Sequence, residues 1–236
     1  MIIKSFASSS KGNCYLVSDG ETNLLIECGI SIDKIRKFTK MNFDACLVTH
    51  EHKDHSLSLI KILQNCKIVF ATKGTFDSYQ NDITIFRNYI KIIEKNKIYK
   101  IGTFQMIPFE TEHDAKEPVG FYLKSNITNE TILFATDTYY IKNRFKAINY
   151  LMIECNYAYD LIKKNIENDK LPKIMAKRLL KSHFELENVK KFILQQDLKE
   201  IKEIYLLHLS NGNSDANRFK KEIQMLIGCP VWICPE

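Results

Sequence analysis

Thr49-His50-Glu51-His52-Lys53-Asp54-His55 holds three of the chain's six histidines, with an aspartate among them. The run before it, Ala45-Cys46-Leu47-Val48, is apolar and predicts a strand buried on both faces that ends where the histidines begin. Alternate residues of an extended segment point the same way. His50 and His52 are therefore predicted to face one point, while Asp54 and His55 reach a neighbouring one. Imidazole nitrogen and carboxylate oxygen suit Zn²⁺ and Mn²⁺, with Fe²⁺ also compatible, so two adjacent divalent ions are expected. The plainer alternative is a histidine-rich surface loop. An apolar strand running straight into the ligands argues against it.

The other three histidines fit the same reading. His113 follows the apolar Met106 to Phe109, His183 sits in Lys181-Ser182-His183-Phe184, and His208 ends Tyr205-Leu206-Leu207. Asp137 ends the apolar run Ile132 to Ala135. Ligands at the carboxyl ends of strands converge at one edge of a sheet, where sites of open α/β structures form. Any one of these residues alone is more often a surface or core group; together they point to a site.

Around them the pattern is mixed. Strands are predicted at 2–6, 14–18, 23–27, 45–48, 67–71, within 83–107 with a turn near Ile101-Gly102, and at 119–124, 131–135, 150–154, 204–207 and 230–234. Helices are predicted at 32–39, 57–64, 157–181, 188–196 and 215–226. Asp19-Gly20 marks a tight turn. Strands and helices recur without a linker, which predicts an α/β (α+β) architecture in a single domain over 1–236.

Apolar residues make 45% of the 236 and charged residues 26%, enough for a large core and too ordered a composition for a disordered chain. The net charge of +6 fits an anionic partner, although a composition crowded with Lys, Ile and Asn gives the same surplus. Seven cysteines, an odd number with no CxxC pair, predict free thiols in a reducing compartment. The N-terminal residues do not read as a secretion signal, and no apolar run reaches membrane-spanning length, so a cytoplasmic location without membrane contact is expected.

THEHKDH resembles the HxHxDH signature of the metallo-β-lactamase-fold hydrolases. Ser5-Phe-Ala-Ser-Ser-Ser-Lys-Gly-Asn13, Leu24-Leu-Ile-Glu-Cys-Gly-Ile30, His113-Asp-Ala-Lys-Glu-Pro-Val-Gly120, Glu154-Cys-Asn156 and His208-Leu-Ser210 are similar to segments of its YycJ/WalJ-like branch. The resemblance implies a four-layer αββα sandwich. It implies one metal on His50, His52 and His113, a second on Asp54, His55 and His208, and Asp137 bridging both. It further implies an exonuclease-like phosphodiesterase with DNA as its substrate; the leading expectation is a phosphodiesterase acting on DNA or RNA by means of a metal-activated hydroxide. The chain departs from the branch at Glu27, where Asp is usual, at Tyr157, where His is usual, and at Ser182-His183-Phe184-Glu185, where Gly-His-Leu-Ser is usual.

Asp54 and His183 are the expected catalytic groups. Asp54 would accept a proton from the attacking water, and His183 would meet the scissile phosphate or protonate the leaving group. The substrate side is expected to include Ser10, Asn13, Asn156 and His183. Lys163, Lys164, Lys170, Lys173, Lys177, Arg178 and Lys181 would hold a nucleic-acid backbone or simply form a solvated face. Tyr157 and Tyr159 would stack on bases or belong to the core. Two rivals are a hydrolase of a small ester, thioester or lactone on the same metals, and a non-catalytic metal-binding module. A ligand set this large with open positions speaks against the last.

Overall fold

The computed structural model describes residues 1–235. The chain runs β1 (Ile2–Ser9), β2 (Gly12–Ser18), β3 (Asn23–Ile26), α1 (Ile32–Thr39), β4 (Ala45–Leu47), α2 (Lys53–Ser56), α3 (Leu59–Gln64), β5 (Ile68–Thr72), α4 (Lys73–Asp77) and α5 (Gln80–Ile83). After a 3-10 helix (Thr84–Tyr89) come β6 (Ile90–Ile93), β7 (Tyr99–Ile101), β8 (Phe104–Glu110), β9 (Val119–Ser125), β10 (Thr131–Ala135) and β11 (Tyr150–Glu154). Then follow α6 (Tyr159–Glu167), α7 (Lys173–Ser182), α8 (Leu186–Leu194), β12 (Glu203–Leu207), α9 (Ala216–Ile227) and β13 (Val231–Ile233). The described strands make two sheets, one of six and one of seven. The fold is mixed α/β, as the strand and helix patterns predict.

The chain divides into two compact units. The first takes Met1–Phe109, Ala115–Glu130 and, at the far end of the chain, Pro235. It carries the sheet β1-β2-β3-β4-β5-β6, antiparallel through β3 and parallel from β3 to β6. The buried Ala45-Cys46-Leu47 of β4 lies between two parallel neighbours, which is why that run is apolar without alternation. Its core joins Leu25, Cys46 and Val69 of the sheet to Ile35 of α1 and Ile62 of α3. The antiparallel pair β7–β8 also belongs to this unit.

The second unit takes Glu110–Asp114 and Thr131–Cys234. Its strands β10, β11, β12 and β13 pair in parallel, with Ala135 opposite Ile153, Ile153 opposite Leu206, and Leu206 opposite Ile233. All side chains of β10 and β11 are buried. This register brings the residues just past Ala135, Ile153 and Leu206 to the same edge, one strand spacing of about 4.8 Å apart.

Three elements differ from the sequence expectation. Residues 80–89 are helical, so the strands expected over 83–107 begin only at Ile90, while β7 and β8 turn at Gly102-Thr103, beside the turn expected near Ile101-Gly102. The helical stretch expected over 157–181 is interrupted between α6 and α7, because Pro172 lacks the N–H that a continuing helix needs and instead stands at the N-cap of α7. Lys53–Ser56 forms a one-turn helix rather than an extended loop, closed by Ser56 Oγ donating to the carbonyls of Glu51 (2.7 Å) and His52 (2.9 Å). All seven cysteines are free thiols and six are buried. No helix among the described residues is long and apolar enough to cross a membrane.

Candidate metal centre

In the first unit the donors stand where β4 runs out. His50 is buried, and its Nδ1 lies 2.9 Å from Thr49 Oγ1. The His50 ring sits 4.7 Å from that of His52 and 4.2 Å from that of His55, centroid to centroid. His50 and His52 present ligand atoms within 4.8 Å of one another, and so do Asp54 and His55.

Three buried residues fix this turn from beneath. Asn13 Nδ2 donates to the carbonyls of Ser9 (3.1 Å) and Asp54 (3.2 Å) and lies 3.1 Å from His55 Nε2. Glu27 adopts a left-handed backbone (φ 63°), which swings its carboxylate inward from the end of β3. Its Oε2 accepts from the Thr49 N–H at 3.4 Å, and its Oε1 lies 3.5 Å from His55 Nδ1. Burial pushes the Glu27 carboxyl up from its ordinary range against the pull of His55. Gly29 passes so close that a Cβ there would lie 1.6 Å from the Asp54 carbonyl oxygen. Only glycine permits that approach.

In the second unit Asp137 and His208 stand at the carboxyl ends of β10 and β12, both with left-handed backbones (φ 47° and 51°). Non-glycine residues rarely hold this conformation, and Asp and His are among those that do so most readily. Asp137 offers one oxygen to each side: Oδ2 lies 3.5 Å from His113 Nε2 and Oδ1 lies 3.5 Å from His208 Nδ1. His113 Nδ1–H donates to the Ser182 carbonyl at 3.1 Å, which leaves Nε2 as the nitrogen with a lone pair to give. Burial pushes the His113 pKa down, favouring the neutral, ligating form.

Glu154, at the end of β11, is fully buried and takes four donors. Oε1 meets His183 Nδ1 at 2.6 Å and His208 Nδ1 at 3.2 Å; Oε2 accepts from the Thr138 and Phe184 N–H groups at 2.9 and 3.2 Å. Donor atoms of Asp137, Glu154, His183 and His208 all lie within 4.8 Å of one another. Because both Glu154 oxygens are already committed, its place is to orient histidines rather than to ligate. Burial works against ionisation of Glu154, but His183 outweighs it and holds the carboxyl low; the same pair raises the His183 pKa despite burial. The imidazole and carboxylate donors in both units fit divalent ions of the Zn²⁺ or Mn²⁺ type.

The residues expected at the substrate fall into two kinds. Ser10 is exposed in the β1–β2 turn. Asn13 and Asn156 are buried and face histidines, Asn156 Nδ2 donating to the His208 carbonyl at 2.7 Å. The His183 side chain retains 19% exposure. The basic residues of α6 and α7 are all exposed, and Arg178 pairs with Asp114 at 3.2 Å. Tyr157 packs in a small core with Ile162 and Ala176, whereas Tyr159 is exposed. Glu27, Gly29 and Glu154 were not singled out by their chemistry; the signal was a lone acid ending an apolar run at 24–27 and at 150–154. An open cleft of about 810 Å³ beside β6 includes none of the six histidines.

The β-lactamase superfamily domain matches residues 22–193. Exodeoxyribonuclease YycJ of Bacillus anthracis is 27% identical over 222 residues, covering 88% of this chain and 82% of that protein. Among solved structures, the metallo-β-lactamase fold protein YhfI of Bacillus subtilis is similar with a TM-score of 0.72 at 15% identity, covering 99% of this chain and 96% of that one. The short form of human tRNase Z is similar with a TM-score of 0.64 at 12% identity, covering 100% and 97%.

Proposed function

The chain belongs to the β-lactamase superfamily, and we propose that it is a dinuclear metal-dependent phosphodiesterase acting on DNA or RNA. The observation that carries this reading is the donor set: three histidines and an aspartate in the turn after β4, and His113, Asp137 and His208 at or beyond strand ends. The exodeoxyribonuclease relative supports the substrate class. In this reading His50, His52 and His113 hold one ion, Asp54, His55 and His208 hold the other, and Asp137 serves both. The two-oxygen disposition of Asp137 between His113 and His208 supports its shared role.

Bound Zn²⁺ or Mn²⁺ would supply Lewis acidity, lowering the pKa of water and neutralising phosphoryl charge. The protein's own groups do the rest. The Asp54 side chain is 24% exposed, so it can take a proton from the attacking water. As the new phosphorus–oxygen bond forms and the old one breaks, His183 gives a proton to the departing oxygen. Its ring is held for that by the 2.6 Å contact between Nδ1 and Glu154, with Nε2 on the other side of the ring. The exposed lysines of α6 and α7 contact the backbone of the nucleic acid.

The test is incubation of purified protein with end-labelled single- and double-stranded DNA and RNA in Zn²⁺ or Mn²⁺, beside an Asp54→Ala, His55→Ala double variant. Elemental analysis should give about two ions per wild-type chain, the count expected of a two-metal site. Metal-dependent cleavage lost in the variant supports the reading. Turnover of a thioester or lactone with no cleavage of any nucleic acid overturns it in favour of a small-ester hydrolase.

A further inference from the structure

The turn after Asp137 ends in two tyrosines that point away from the core. Tyr139 and Tyr140 are 41% and 53% exposed. Together with Phe184, the residue after His183, they line a cavity of about 310 Å³. Asn188, Lys191 and Gln195, on and just beyond α8, also line it, beside the apolar Ile141 and Phe192. Among the described residues nothing engages the two phenols, the two amides or the Lys191 ammonium, so all five polar groups are available to a ligand.

This cavity is mechanically tied to the proposed chemistry. Glu154 Oε2 accepts from the N–H of both Thr138 and Phe184, so the two segments that carry Asp137 and His183 toward the cavity are pinned to one oxygen. The turn is braced again where the Glu112 N–H donates to Thr138 Oγ1 at 2.9 Å and the Tyr139 N–H donates to the Glu112 carbonyl at 3.2 Å. Two residues of chain span at most about 7 Å, so Tyr139 stays within that reach of Asp137.

We infer that the cavity receives an unpaired nucleobase of the strand being cut, next to the scissile phosphate; the inference rests on the phosphodiesterase reading above. A base is flat, with apolar faces and a polar edge. Tyrosine rings stack on such faces, side-chain amides satisfy such edges, and an ammonium answers the adjoining phosphate. The volume lies at the small end of ligand pockets, suited to one base. Bases inside a duplex are stacked and paired and cannot enter. The substrate is therefore single-stranded nucleic acid or a frayed end.

Steady-state cleavage of a single-stranded oligonucleotide is compared with that of the same strand carrying abasic residues on either side of the cut. Wild type should show a KM roughly five- to a hundredfold higher on the abasic strand. The Tyr139→Ala, Tyr140→Ala variant should lose that preference, with a raised KM on the normal strand, an unchanged KM on the abasic one and kcat held. Lys191→Ala should raise KM on both strands. Equal KM values for the two strands in wild type overturn the inference while leaving the phosphodiesterase reading intact, and need no variant to fold. A double variant that folds and keeps the preference does the same. Failure of wild type to cleave any strand sinks the phosphodiesterase reading, and this one with it.

Discussion

Glu154 shows how one buried residue sets the geometry of several others. Its four donors include two histidine rings and the backbone N–H groups of Thr138 and Phe184, the residues that follow Asp137 and His183. Glu154→Gln keeps the shape but turns one oxygen into an NH₂ that faces a donor. Partners of this kind typically carry 10–100-fold in metal affinity or activity. We expect a loss of that size, read as metal retained after dialysis and as cleavage rate, with the circular dichroism spectrum unchanged. An unaltered metal content and rate would show that the histidines hold their places without it. At this scale the sequence was informative about ligand types and silent about support. Nothing in Tyr150-Leu-Met-Ile-Glu154 separates a carboxylate that orients histidines from one that binds metal. The left-handed backbones of Glu27, Asp137 and His208 likewise have no signature in the residue letters, since most residues of these types sit elsewhere on the φ/ψ map.

Among the elements, the turn between β2 and β3 joins distant parts of the first unit. Asp19 Oδ2 accepts from Thr103 Oγ1 at 2.5 Å and Ser125 Oγ at 2.7 Å, and Oδ1 from the N–H groups of Glu21 and Thr22. Burial opposes ionisation, but these hydrogen bonds outweigh it and hold the carboxyl below its ordinary range. A carboxyl lower in the folded than in the unfolded chain adds stability above its unfolded pKa of about 4, and that stability is lost as pH falls through the folded value. Wild-type urea midpoints should therefore drop below about pH 4. Asp19→Ala should be less stable at pH 7 by roughly 1–2 kcal/mol and show a shallower acid decline. Parallel decline in both proteins would exclude Asp19 as a contributor. The Asp19-Gly20 pair announced this turn, and apolar runs announced β4, β10 and β12. The short helices at 80–89 were missed because Ile83, Phe86 and Tyr89, spaced by three, were read together with the β-branched run that follows at 90–93, and Pro172 was passed over within an otherwise helical pattern.

For the molecule as a whole, ions bound only by the folded chain must stabilise it. At a free concentration a hundred times Kd the gain is about 2.7 kcal/mol per site. Chelation should lower the melting temperature, and added Zn²⁺ or Mn²⁺ should raise it in a concentration-dependent way. His50→Ala should show a smaller response. A melting temperature indifferent to metal and chelator would mean that the donors do not bind ions in the folded state.

The interleaved course of the chain also constrains how the protein can be made. The polypeptide leaves the first unit after Phe109, supplies Glu110–Asp114 to the second, returns at Ala115, departs again at Thr131 and comes back only at Pro235. A nascent chain emerging from the ribosome therefore cannot assemble the main body of its leading unit until residue 130 has cleared the exit tunnel. By then His113, destined for the trailing unit, has been synthesised ahead of every other donor it will join there. A gene cut at the second departure point would encode a trailing fragment without that histidine, so splitting the coding sequence there cannot yield two self-sufficient halves.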